Sequence, residues 1–139
     1  MIILDTNVIS ELMRPAPDAT VARWVEGQPP SGLFTTAISE AEIRLGIDLL
    51  PRSKRRSELL ERADLLFGRV FAGRILPFDS DAARALAGIG AERRRLGRPI
   101  NEYDGQIAAI ALSRGAGVAT RDTAGFSHCG VTVIDPRKR

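Results

Sequence analysis

Asp5 follows Ile2-Ile3-Leu4, a short apolar run that reads as a strand, so its carboxylate emerges at a strand's carboxyl end. Ligands of open parallel sheets bind at such ends. Taken alone, an aspartate there is more often a helix cap or turn residue. Asp122 repeats the placement, closing Val118-Ala119-Thr120-Arg121-Asp122 as Asp5 closes the first run. Two further acids lie in line with apolar stripes. Glu42 stands with Ile38, Leu45 and Leu49 at i, i+4, i+7 and i+11, and Asp104 is followed by Ile107, Ala108 and Ala111 at +3, +4 and +7. Helical geometry turns the neighbouring Glu40 and Glu102 out of line with those stripes.

Four carboxylates meeting in one partly buried crevice repel one another, and something cationic must compensate. Arg121 or Arg44 could form an ion pair there. Oxygen-only donors on a rigid scaffold better suit Mg²⁺ or Mn²⁺, hard cations that keep waters and bridge to phosphate oxygens. The chemistry this permits is phosphodiester hydrolysis, in which an ion activates water and neutralises the charge that develops on phosphorus.

The elements that must position these acids are readable. Ile2 to Leu4, Leu33 to Thr36, Ile75 to Phe78, Val118 to Thr120 and Val131 to Ile134 read as strands. Helical periods fill the gaps, so the class is α/β, with a parallel sheet covered by helices on both faces. Pro77 cannot donate to a ladder, which puts the third strand at an edge. Asn7 is expected to cap a short helix through Met13, and Asp18 the next, with Val21, Trp24 and Val25 on its apolar face. A helix from about Ser39 to Leu50 is expected to bury Ile38, Ala41, Leu45 and Leu49. The helix after it carries Leu59, Ala63, Leu66, Phe67 and Val70. Asp79 or Ser80 opens another, ended by Gly97 and Pro99, and the last runs from about Glu102 to Arg114.

At 139 residues and 44% hydrophobic, the chain is sized for one domain, residues 1–139, with a core that needs no staples. One cysteine, Cys129, excludes an internal disulfide, and with a single histidine there is no Cys/His zinc set. The longest uncharged stretch, Gly27 to Ser39, contains two prolines and is too short to span a bilayer. Neither a basic start nor a long apolar run precedes Asp5, so a cytoplasmic location is expected. A net charge of +3 and a pI near 9.7 favour anionic partners without specifying one.

Leu4-Asp5-Thr6-Asn7, Glu42-Ile43-Arg44-Leu45-Gly46, Asp104 before Ile107-Ala108-Ala109, and Ala119-Thr120-Arg121-Asp122 together resemble the PIN-domain signature. No one of these tetrapeptides is specific, but four acidic motifs in that order across nearly the whole chain are. Within the family the chain is similar to the VapC toxins, and to their FitB-like branch through Leu4 to Glu11, Phe71 to Phe78 and Val118 to Thr123. The resemblance implies a five-stranded parallel sheet in the order 3-2-1-4-5 and a Mg²⁺- or Mn²⁺-dependent endoribonuclease acting as the toxin of a toxin–antitoxin pair. It also implies an RNA substrate, a homodimer or higher complex with antitoxin, and a cognate antitoxin through which DNA is reached only indirectly. Matched residue by residue, Asp5, Glu42, Asp104 and Asp122 become the catalytic and metal-binding quartet. Thr6, Asn7 and Thr120 match polar positions that orient it.

Other readings are weaker on particular residues. A haloacid-dehalogenase-type phosphatase needs a second aspartate two residues after the first, where Asn7 stands. A response-regulator receiver needs a lysine near its pocket, and the only lysines are Lys54 and Lys138. The rival of a different class is a non-catalytic nucleic-acid or partner-binding module acting only within an antitoxin complex on DNA. Arg52, Lys54, Arg55 and Arg56 cluster where a helix macrodipole disfavours cations, which leaves room for another use, although solvated charge accounts for most such runs. Arg93, Arg94 and Arg95 suit a helix C-terminus. His128 and Cys129 form no dyad, Tyr103 turns away from the acidic stripe, and Arg137-Lys138-Arg139 reads as a basic tail.

Overall fold

The computed structural model describes residues 1–138, so Arg139 of the basic tail lies outside the described residues. Five strands alternate with six helices: β1 (Ile2–Leu4), α1 (Thr6–Leu12), α2 (Ala19–Glu26), β2 (Leu33–Thr36), α3 (Ala37–Asp48), α4 (Lys54–Leu65), β3 (Ile75–Leu76), α5 (Ser80–Arg95), α6 (Glu102–Arg114), β4 (Gly117–Ala119) and β5 (Val133–Ile134). All pairings are parallel and the order is β3-β2-β1-β4-β5. β1 is central because Ile3 and Leu4 are both wholly buried, one toward each face. Alternation then sorts the core. Ile3 and Val118 pack with α5 and α6, whereas Leu4 and Ala119 pack with the cluster built on Val8, Val21, Ile43 and Phe67. β3 lies at an edge as expected, and Pro77 ends it rather than sitting within it.

Four local expectations differ from what the structure shows. Asp5, not Asn7, caps α1: the helix begins at once after β1, Asp5 is still extended, and its carboxylate accepts from Thr6 N at 2.7 Å. Helix α3 buries Ser39, Ile43 and Ile47, leaving Ala41, Leu45 and Leu49 exposed. Its sequence offers two apolar stripes, and the cap decides between them: Thr36, held inside the sheet, takes Ser39 N at 3.0 Å and rolls the Ser39 side inward. Arg93 does not point out with Arg94 and Arg95 but is buried, donating to the carbonyls of Arg98, Gly125 and Ser127. Val70, on the stripe after α4, is exposed, because the helix ends in a wider turn over Leu66–Val70. The remaining helix starts follow the sequence, with Asp18, Asp79 and Asn101 as caps, and Gly115 closes α6 at φ 65°, where a side chain would be strained.

Candidate active site

The carboxyl ends of β1 and β4 lie side by side, since Leu4 pairs with Ala119, and they deliver Asp5 and Asp122 to one edge of the sheet. Glu42 comes from the middle of α3 and Asp104 from the first turn of α6. All four line a single cleft with Thr6, Asn7, Ser10 and Arg121. Every acid and polar residue expected of the site except Thr120 lines the cleft, and Thr120 lies directly beneath it. The reason given for Glu42 needs amending: it sits half-buried at the margin of the buried face of α3, not on a stripe with Leu45 and Leu49, which are exposed.

Hydroxyl groups hold the cleft together. Thr120 is wholly buried and its Oγ1 is fully used: it donates to Asp5 Oδ2 at 2.8 Å and accepts from Asn7 Nδ2 at 3.2 Å and Asp122 N at 3.0 Å. Asn7 Oδ1 in turn accepts from Arg121 N at 3.1 Å, tying α1 to the chain after β4. On the other side Thr6 Oγ1 lies 2.7 Å from Glu42 Oε1 and 2.9 Å from Ser39 Oγ. Its one proton goes to the carboxylate, so Ser39 donates to Thr6. Asp122 Oδ1 accepts from Gly125 N at 3.1 Å, and a methyl at Gly125 would stand 2.5 Å from Asp122 Oδ2. Gly125 is therefore required for close approach.

The electrostatics have one sign. Burial raises the Asp5 carboxyl above its ordinary range; the bonds from Thr120 and Thr6 oppose that, and the charge of Asp122 adds to it. Glu42 is raised mainly by burial, against the Thr6 bond and with the Asp5 charge. Asp104 goes furthest, to about 6, through burial and then the charges of Asp5, Asp122 and Glu42, with buried Arg93 pulling the other way. Its carboxylate accepts no hydrogen bond among the described residues, in contrast to the other three acids.

Of the two arginines expected as counter-charges, Arg44 is engaged elsewhere, with Glu40 and Asp64 at 2.8 Å each. Arg121 is the only cation lining the cleft among the described residues, and it is shared with Glu11, whose Oε2 lies 3.3 Å from its Nη1. Glu11 is only 3% exposed and also meets Arg14 and Asp18 N. The sequence gives it no role: Arg14, Pro15 and Asp18 follow it at +3, +4 and +7, so it lacks the apolar spacing that marks Asp104. Among the described residues no group of three or more His, Cys, Asp or Glu side chains is gathered so as to hold a metal ion as it stands. The carboxylates are anchored separately, by Thr120, Thr6 and Gly125 N, and border a shared opening.

The PIN domain family profile matches residues 2–130. The chain belongs to the PIN-domain family. A VapC ribonuclease of Sinorhizobium fredii is 43% identical over 136 residues, covering 98% of this chain and 97% of the relative. The toxin FitB of Neisseria gonorrhoeae is 43% identical, covering 98% of each chain. Among solved structures, a FitAB complex bound to a DNA fragment superposes at a TM-score of 0.92, with 42% identity, 100% of this chain and 97% of that chain covered. The sheet order and the helices on both faces are those of a PIN domain, as the resemblance implied.

Proposed function

We infer that this PIN domain is the ribonuclease toxin of a toxin–antitoxin pair, cutting RNA phosphodiester bonds in the cleft of Asp5, Glu42, Asp104 and Asp122. The observation that carries the reading is Asp104: a half-buried carboxyl, without a hydrogen bond, pushed to about 6 by its burial and then by three neighbouring carboxylates. Such a cluster has a use for a divalent cation. The donor set fits Mg²⁺ or Mn²⁺, being all oxygen, multiply charged and open on one side, which suits an ion that retains waters. Asp5 and Asp104 are the first choice as direct ligands, with Glu42 and Asp122 completing the set. When bound, the ion supplies an activated water and neutralises charge on the phosphate.

The protein's own groups do the rest. Thr120 fixes the Asp5 carboxylate and the Asp122 backbone with one hydroxyl, and Thr6 fixes Glu42, so the acids are oriented before substrate arrives. Asn7 holds the Arg121 peptide, which keeps a cation of the cleft beside the acids. No side-chain nucleophile is needed, and His128 and Cys129 line no part of the cleft. The reading includes a cytoplasmic location, a homodimer and a cognate antitoxin that carries the pair to DNA. Exposed Leu45 and Leu49 give α3 an apolar outer surface for such contacts. Among the described residues no helix is long and apolar enough to cross a membrane.

Antitoxin-free protein incubated with structured RNA, including transfer RNA, should cut it with Mg²⁺ or Mn²⁺ and not with chelator. Asp5→Asn should abolish the cutting with the fold intact by circular dichroism. Equal cleavage by both proteins would refute the assignment of the cleft.

A further inference from the structure

Beside the acidic cleft the surface changes sign. Ser10 on α1 lines the cleft and also a hollow of about 360 Å³ between α1 and α4, whose cations are Arg14, Arg55 and Arg62. An apolar groove, which includes Thr6 and Glu42 at one end and Met13, Arg55 and Leu59 at the other, joins the two. The surface is therefore continuous from the carboxylates to the arginines.

The structure sorts the basic cluster at the start of α4. Lys54 faces Glu58 at 3.9 Å and Arg56 meets Asp48 at 3.3 Å. Arg55 makes no ion pair or hydrogen bond among the described residues, although it sits in the first turn of α4, where the helix dipole disfavours a cation and no acid is present. Arg62 donates to Met13 O at 2.8 Å, and Arg14 is two-thirds exposed while touching Glu11. The one acid of the hollow, Glu58, is the one facing Lys54. Among the described residues no aromatic side chain lines the hollow, so they offer it nothing on which to stack a base.

We propose that this hollow holds backbone phosphates of the RNA strand next to the one in the acidic cleft, with Arg55 as the principal contact and Arg14 and Arg62 beside it. The proposal rests on the reading of the cleft as a ribonuclease site and adds the path of the substrate. Cations that meet phosphate and no base should grip any sequence alike. They also draw the polyanion toward four carboxylates that would otherwise repel it.

The test is binding of a fluorescent single-stranded RNA oligonucleotide to antitoxin-free Asp5→Asn protein, by anisotropy across a salt series. Arg55→Gln breaks no contact of the fold and should weaken binding by about three- to tenfold, with the log–log salt slope falling by about one. Arg14→Gln added to it should weaken binding further. Arg95→Gln, on α5, is the control for net charge and should leave affinity unchanged. In protein carrying Asp5, Arg55→Gln should raise KM for RNA. Unchanged affinity and slope in Arg55→Gln, or equal losses in Arg55→Gln and Arg95→Gln, would overturn the proposal. Cleavage by the Asp5 protein together with unchanged binding in Arg55→Gln overturns the path alone; absence of both cleavage and RNA binding overturns the ribonuclease reading with it.

Discussion

Helix α6 carries, within a turn of each other, Asp104 and the run Ile107 to Ala111, and the two stretches do opposite things. Ile107 to Ala111 are wholly buried in the cluster that also holds Ile3, Val118 and, from α5, Ala82 and Ile89. Asp104, one turn earlier, is half-buried, lacks a hydrogen bond and is crowded by like charge, so its ionised form opposes folding. The apolar run fixes the helix, and the fixed helix holds a carboxylate where repulsion would otherwise move it. The charged site is thus placed on a helix whose next turn is wholly buried.

Substituting each stretch should separate the two roles. The largest effect is expected for Asp104→Asn, which should lower RNA cleavage by about a thousandfold, roughly 4 kcal/mol of transition-state stabilisation, while the thermal midpoint in chelator stays level or rises. Ile107→Ala should do the reverse, losing about 3 kcal/mol in a denaturant melt while the cleavage rate per folded molecule is kept. Thr120→Val removes the hydroxyl that serves Asp5, Asn7 and Asp122. It should lower kcat by about ten- to a hundredfold and stability by about 1–2 kcal/mol, joining the two roles in one residue. Gly125→Ala presses on the Asp122 carboxylate and should reduce cleavage by about tenfold with little change in melting.

A further effect is on the pH dependence of stability. Folding raises the Asp104 pKa from 3.8 to about 6, so between those values the folded protein keeps a proton that the unfolded chain has lost. Metal-free stability should therefore fall as pH rises through that window and level off above it, with Asp5 and Glu42 acting in the same direction. Asp104→Asn should flatten the slope, whereas Ile107→Ala should lower the whole curve without changing its shape.

Much of this was legible because it depends on chain order. Strands followed at once by acids gave Asp5 and Asp122, and the spacing of Asp104 from Ile107, Ala108 and Ala111 placed it on the inner side of a helix whose ends, Glu102 and Arg114, also match. What was not legible depends on long-range contacts. The sequence of α3 has two apolar stripes, and only docking through Thr36 and Ser39 selects Ile43 and Ile47 over Leu45 and Leu49. Arg93 ends a helix as arginines do, and its burial follows from carbonyls contributed about thirty residues later. Glu11 was hidden by its partners, since Arg121 lies far along the chain. Gly125 could not be read, because its requirement is a distance to one carboxylate oxygen.

The proposed cation site is a cleft that opposes folding until it is filled. Thermal melts of wild-type protein and Asp104→Asn at neutral pH, each in chelator and in Mn²⁺, test it directly. In chelator the variant should melt at or above the wild type, and Mn²⁺ should raise the wild-type midpoint, as a ligand bound only to the folded state must, while leaving the variant nearly unmoved. A variant that melts well below the wild type in chelator, with Mn²⁺ shifting neither protein, would contradict it.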